Sequence, residues 1–210
     1  MKYFDPKSLK AQGLVEPSLD REHPFQRLPQ KYKKTVREEV WDLSENSAGV
    51  SILFSSDTVN LSVKWSIKHD LRMNHMTDAG IKGVDLYTKR NKNWQYTNTC
   101  LPNGEQNEQI LFEDIDKKNR EYCLYLPLYD TLTDMQIGLD DDSILENITF
   151  QNKPLVFYGT SITQGGCASR PGLAHTNIIS RELGYECINL GFSGNGHLEN
   201  SIGNIMSDID

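Results

Sequence analysis

Between residues 36 and 150 the polar and apolar positions change every one or two residues. Val59, Leu61, Val63 and Trp65 alternate with Asn60, Ser62 and Lys64. A period of two suits a half-buried strand and no helix. The same reading predicts strands at 35–42, 49–55, 60–66, 83–89, 94–98, 109–113, 120–126, 134–139 and 144–149. Turn signals such as Asn103-Gly104 and Lys117-Lys118-Asn119 separate the runs. Many short strands at this spacing predict a β-sandwich or jelly roll. Trp65 should point inward, because Val59, Leu61 and Val63 share its face.

The pattern differs at both ends. Residues 1–32 are polar and punctuated by Pro6, Pro17, Pro24 and Pro29. They read as an extended lead-in that wraps a domain surface with little regular structure, or else as a disordered tail. After residue 150 the period lengthens. Leu155 to Tyr158 is a continuous apolar run, the mark of a strand buried on both faces. Leu173, Ile178, Ile179 and Leu183 follow at near-helical spacing, with Gly184 as the stop. A second strand over 186–190, its apolar run reaching Phe192, and a helix over 198–207 complete a β-α-β-α order. That is the first half of a doubly wound, flavodoxin-like α/β domain. The expected division is 1–150 for the sandwich with its lead-in and 151–210 for the incomplete α/β part.

Composition narrows the function. The chain has 210 residues and a net charge of −7, without a basic run long enough to track a phosphate backbone. Nucleic acid is not an expected partner. No apolar run approaches membrane-spanning length, so no membrane partner is expected either. Residues 1–6 lack the apolar centre of a signal peptide, which leaves the compartment open between cytoplasmic and exported with the signal removed. The four cysteines, Cys100, Cys123, Cys167 and Cys187, lack metal-ligand spacing and read as free thiols, with a Cys100–Cys123 bridge as the alternative. Asp140-Asp141-Asp142 lacks the spacing of a calcium loop and reads as a solvated turn. His69 and His75, near Met73 and Met76, sit on a long connection that either rims a ligand site or simply packs. Tyr122, Tyr125 and Tyr129 look like a sugar platform, but alternation favours core and edge packing.

The chemistry concentrates after residue 153. Ser161 follows a buried strand, beside a glycine and ahead of a helix. Such a turn projects a hydroxyl at the carboxyl end of the sheet, where backbone N–H groups can hold an anion. A serine there also serves simply as a helix N-cap. The second strand ends in Ser193-Gly194-Asn195-Gly196 and would deliver the Gly194 N–H beside Ser161.

These residues resemble a known family. Gly159-Thr160-Ser161-Ile162-Thr163-Gln164-Gly165 is similar to the first block of the SGNH (GDSL-like) esterases and acylhydrolases. Asn189-Leu190-Gly191-Phe192-Ser193-Gly194 is similar to their second block. Cys167-Ala168-Ser169-Arg170-Pro171-Gly172 resembles a subgroup with an all-β, jelly-roll-like front domain. Asn46-Ser47-Ala48-Gly49 and the segment from Tyr122 to Tyr129 resemble that front domain itself. The resemblance implies that Ser161 is the nucleophile and that the Ser161 and Gly194 N–H groups form the oxyanion hole. It implies hydrolysis of an ester, an acyl group on a carbohydrate or another small polar substrate, with no metal and no organic cofactor. Arg170 and Asn195 are candidate substrate-binding residues, with a salt-bridged surface arginine as the equal alternative for Arg170. Thr160 stands where the family's name-motif has Asp.

The family's oxyanion Asn and its Asp-x-x-His lie beyond the second block, and no Asp-x-x-His follows Gly194 here. His197 and His175 are weak candidates for the base. The chain as written is therefore expected to be a fragment or to be completed from elsewhere, inactive alone, and self-associating. A sandwich that only binds a glycan or a partner is the rival reading.

Overall fold

A computed structural model describes residues 1–209. The lead-in holds β1 (Lys2–Phe4), β2 (Ala11–Gln12) and α1 (Glu38–Ser44). Next come β3 (Ser51–Ser56), β4 (Leu61–Ile67), α2 (Asp78–Lys82), β5 (Val84–Arg90) and β6 (Asn93–Cys100). They are followed by β7 (Gln106–Phe112), β8 (Arg120–Tyr125), β9 (Leu132–Leu139) and β10 (Glu146–Asn147). The α/β part comprises β11 (Leu155–Gly159), α3 (Ser161–Gln164), α4 (His175–Leu183), β12 (Cys187–Gly191) and α5 (Asn200–Ser207).

Two antiparallel sheets make the sandwich. One has the order β1-β9-β4-β7; the other runs β10-β3-β8-β5-β6, with β2 also on β3. Ile52, Phe54, Leu61, Val63, Trp65, Leu86, Tyr122, Leu124, Ile137 and Leu139 fill the space between them. Trp65 points inward at 2% exposure, and its indole N–H donates to Lys82 O at 3.0 Å. Along β8, Tyr122 and Leu124 face this core, while Cys123 and Tyr125 face the other way. All three tyrosines of the apparent sugar platform are buried. Cys100 lies in the inner core and Cys123 on the opposite face, so the alternative bridge does not form; all four thiols are free.

Several expectations need correction. Residues 35–42 were expected as a strand, yet Glu38–Ser44 is α1. Val36 and Val40 fit a period of two and a period of four equally well. Glu38 and Glu39 in the first turn suit the positive end of a helix, and Val40, Trp41 and Ser44 form its buried face. Residues 144–149 keep only the two-residue β10. The lead-in is not structureless: β1 pairs with β9 and β2 with β3. The acidic run is partnered rather than merely solvated. Asp140 accepts from Thr58 Oγ1 and the Val59 and Asn60 N–H groups, Asp141 meets the N-terminal ammonium, and Asp142 meets Lys117. The connection bearing His69 and His75 packs through Met76 against Leu128 and Tyr129.

β11 and β12 form a parallel pair. One face, with Ile188, Leu190 and Phe192, packs on Ile202 and Ile205 of α5 and on Val15, Leu28, Val40 and Trp41 from the lead-in and α1. β11 was expected to be buried on both faces but is half-buried throughout. Among the described residues it has one strand neighbour. Association of copies through its other edge stays a proposal.

Candidate functional site

Gly159 pairs with Gly191 across the parallel ladder. Both strands end level, so both following loops open at the carboxyl edge of the sheet, where such sheets place ligands. Ser161 is the first residue of α3 and is half-buried. The N-cap position belongs to Thr160, so Ser161 is not spent on capping. Its carbonyl accepts from the N–H groups of Gly166 (2.7 Å) and Gly165 (3.1 Å) and from the Tyr129 hydroxyl (3.1 Å). Burial pushes the Tyr129 phenol above its usual range, so it remains a donor.

Two buried amides lock the loops together. Gln164 accepts from the Ser193 N–H at 2.9 Å and donates to Leu128 O of the sandwich side at 3.1 Å. Asn189 donates to Thr163 O at 2.7 Å and to Thr176 Oγ1 at 3.1 Å, and accepts from the Gly191 N–H at 2.8 Å. A β-carbon on Gly191 would strike the Gln164 backbone, so only glycine lets α3 lie this close to β12. Gly194 takes a left-handed φ of +69°, which suits glycine. Neither the Ser161 nor the Gly194 N–H donates to a described residue.

The other candidates lie in networks of their own. Asn195 Oδ1 accepts from Arg37 at 2.9 Å, and its amide donates to Ser193 O. Arg37 also holds Glu199 at 2.6 Å, and Glu199 accepts from the Tyr158 hydroxyl at 2.7 Å. Burial opposes the Glu199 charge, but the bonds from Tyr158 and Arg37 outweigh it and bring the carboxyl down to about 2. Arg170 turns toward the sandwich, pairing with Asp85 at 2.7 Å and Tyr87 Oη at 2.8 Å. Its charge is engaged there. His197 Nε2 lies 3.0 Å from Gly194 O, and His175 meets the Phe157 ring edge-on at 6.0 Å. Among the described residues no histidine hydrogen-bonds Ser161 Oγ.

Other contributors were not read from the sequence. Arg27 is fully buried and has no carboxylate partner among the described residues. It donates to the carbonyls of Leu43, Asn46, Asn189 and Gly191, tying the lead-in to the end of β12. Burial pulls its guanidinium down to about 9, so it stays charged at neutral pH. Asp85, also fully buried, accepts from Arg170, the Gly172 N–H (2.8 Å) and Thr99 Oγ1 (2.7 Å). A charged residue inside the apolar strand Val84-Asp85-Leu86-Tyr87 was the available signal. Arg181 of α4 completes this clasp, its guanidinium 3.9 Å from the Tyr87 ring centre. Glu22, His23 and Glu45 have ligand atoms close enough together for a cation, but Lys33 and Lys68 already pair with the carboxylates. Among the described residues no helix is long and apolar enough to cross a membrane.

The model for the N-terminus of SGNH hydrolase-type esterases, named for a GxDLY motif, matches residues 1–145. The motif stands here as Gly83-Val84-Asp85-Leu86-Tyr87, the strand of the clasp. The chain belongs to the SGNH-type esterase family. The GDSL-like lipase/acylhydrolase model matches residues 152–210 of this SGNH chain. A GDSL-like lipase from Bacteroides ovatus ATCC 8483 superposes with a TM-score of 0.93 at 34% identity, covering 100% of this chain and 61% of that one. The salicylyl-acyltransferase SsfX3 of a tetracycline biosynthetic pathway gives 0.75 at 18% identity, over 99% of this chain and 58% of its own. The acetyl xylan esterase Est2A from the rumen bacterium Butyrivibrio proteoclasticus gives 0.55 at 15%, over 92% and 50%. This chain therefore spans about half to three fifths of the length of those proteins. A search of curated proteins gave no match. The SGNH assignment agrees with a sandwich joined to part of an α/β domain.

Proposed function

We propose that Ser161 is the nucleophile of an ester hydrolase and that the Ser161 and Gly194 N–H groups receive the oxyanion. The level ending of β11 and β12 at Gly159 and Gly191 is the observation that carries this reading. It brings the two loops to one edge, each with an N–H free of described partners. Ser161 Oγ would add to the ester carbonyl and lose its proton to a base. The tetrahedral oxyanion would rest on the two N–H groups, the alcohol would leave with a proton, and water would release the acyl group. The substrate we infer is an acyl group on a carbohydrate or another small polar ester, because the loop residues Thr160, Ser193 and Asn195 are short and polar. Arg170 and Asn195 support the site through Asp85 and Arg37 rather than by offering free donors.

The base is proposed to come from outside the described residues, since His175 and His197 are turned to other partners. Added imidazole tests both points. The 210-residue chain should hydrolyse p-nitrophenyl acetate no faster than Ser161→Ala in plain buffer. With imidazole present, the chain should exceed that variant. Equal rates under both conditions would remove Ser161 from the chemistry. A Ser161-dependent rate without imidazole would instead point to His197 or a second copy as the base.

A further inference from the structure

A groove of about 740 Å³ lies at the end of the sandwich away from the clasp. Arg90, on its wall, is five residues further along β5 than Asp85, about 17 Å at the rise of a strand. The wall carries Lys89, Arg90, Lys92, Lys118 and Arg120 against only two carboxylates. Lys89 pairs with Glu121, and Arg120 with Asp116. Arg90, Lys92 and Lys118 have no carboxylate partner among the described residues. In a chain of net charge −7, this end is locally reversed in sign.

A smaller pocket of about 90 Å³ adjoins the groove and shares Arg90, Asp116 and Arg120 with it. Tyr122 also lines this pocket. The Tyr122 ring is fully buried and stacks between Phe54 and Phe112, with centroids 5.3 and 5.7 Å away. Its hydroxyl is buried, and its own proton finds no acceptor among the described residues. Arg120, Arg90 and Asp116, the three residues shared by pocket and groove, line the pocket with Tyr122, and Arg120 lies close enough to donate to the hydroxyl. A guanidinium can only donate, so phenylalanine would complete the same aromatic stack without the cost of a buried O–H that lacks an acceptor. The tyrosine is explained if a ligand supplies the acceptor.

We propose that this end of the sandwich binds a polyuronate, one sugar carboxylate reaching Arg90 and the Tyr122 hydroxyl while neighbouring units follow the groove past Lys92 and Lys118. The pocket holds a carboxylate and little more, whereas the groove has room for several sugar units. Asp116 keeps Arg120 occupied, so the ligand's charge falls to Arg90 and the two free lysines. Among the described residues no aromatic side chain lines the groove, which leaves no platform for stacking unpaired bases and separates this surface from a single-strand nucleic-acid site. It shares no residue with the Ser161 site and stands whether or not Ser161 is a nucleophile.

Titration calorimetry of the 210-residue chain with polygalacturonate and with alginate tests the proposal. Binding should be saturable and weaken as salt rises. Fully methyl-esterified pectin should bind at least about tenfold more weakly, since it offers no charged acceptor. The double variant Arg90→Ala/Lys92→Ala should lose about tenfold in affinity or more. Tyr122→Phe should also bind more weakly, with a melting temperature that holds or rises. Failure to bind either polyuronate would overturn the site. So would equal binding of an oligo-dT strand of matched charge, or a Tyr122→Phe variant that melts earlier with unchanged affinity.

Discussion

The sandwich buries Phe54, Trp65 and Tyr122 between its own two sheets, whereas β12 buries Ile188, Leu190 and Phe192 against Val15, Leu28 and Trp41 from the other end of the chain. The first core is closed by neighbouring strands. The second exists only after residues about 160 positions apart have met. Two parallel strands and their helices cannot cover both faces of their own sheet. The lead-in therefore acts as a cover for the α/β part as much as an edge of the sandwich. The loops that carry Ser161 and Gly194 thus depend on residues far away in sequence, above all Arg27.

The largest expected effect comes from the sandwich. Trp65→Ala should cost about 3–5 kcal/mol through the cavity it leaves. Hydrogen exchange should show both parts losing protection together, because the α/β part leans on the sandwich. An unchanged melting temperature would place Trp65 on the wrong face. Arg27→Met comes next, at about 3 kcal/mol or more, since three buried carbonyls and one part-buried one lose their donor. Here the amides of β11 and β12 should exchange first while those of β4 and β9 stay protected; simultaneous loss would erase the contrast between the two cores. Asp85→Asn should cost about 2 kcal/mol by weakening charge-assisted bonds at the clasp. Faster proteolysis at residues 150–154 is the readout, and an unchanged cleavage rate would show that the clasp does not hold the two parts together.

Acid provides the finest comparison. Glu199 in the α/β part and Asp140 in the sandwich both lie at about 2, below ordinary values of 4.5 and 3.8. In each, burial opposes ionisation, and hydrogen bonds to the carboxylate overcome it. A depressed carboxylate stabilises fully above its unfolded pKa and ceases to do so as pH falls through the folded one. Both parts should weaken between pH 4.5 and 2, with a drop in melting temperature of roughly 5 °C by pH 3. Glu199→Gln should flatten the α/β share alone. If the exchange of β11 and β12 keeps the same pH slope in that variant, the Arg37–Glu199–Tyr158 network is not its source.

Much of the sandwich was legible because alternation is a local signal. Leu61, Val63 and Trp65 state their own facing and the structure agrees, whereas Val59, expected on the same face, precedes β4 and stays out of the core. The stretch around Val36 and Val40 misled because strand and helix periods coincide over so few residues. Gly159 through Gly165 and Asn189 through Gly194 carried the family resemblance, since tight turns and close approaches restrict residue type over a short span. The partners of Arg170 and Asn195 were not legible, because Asp85 and Arg37 lie 85 and 158 positions away.

By itself, then, the sequence determined the class of each half, the inward face of β4, the turn after β11 and the glycine after β12. Each follows from a rule acting within a few residues: strand period, turn geometry or loss of a β-carbon clash. Tertiary structure decided that Arg27 braces the second loop, that Asp85 clasps Arg170, and that the Tyr122 hydroxyl is left without an acceptor beside Arg120. Those outcomes depend on which buried polar groups meet. A buried donor or acceptor must find a partner wherever the packed chain brings one, and no local periodicity encodes that meeting.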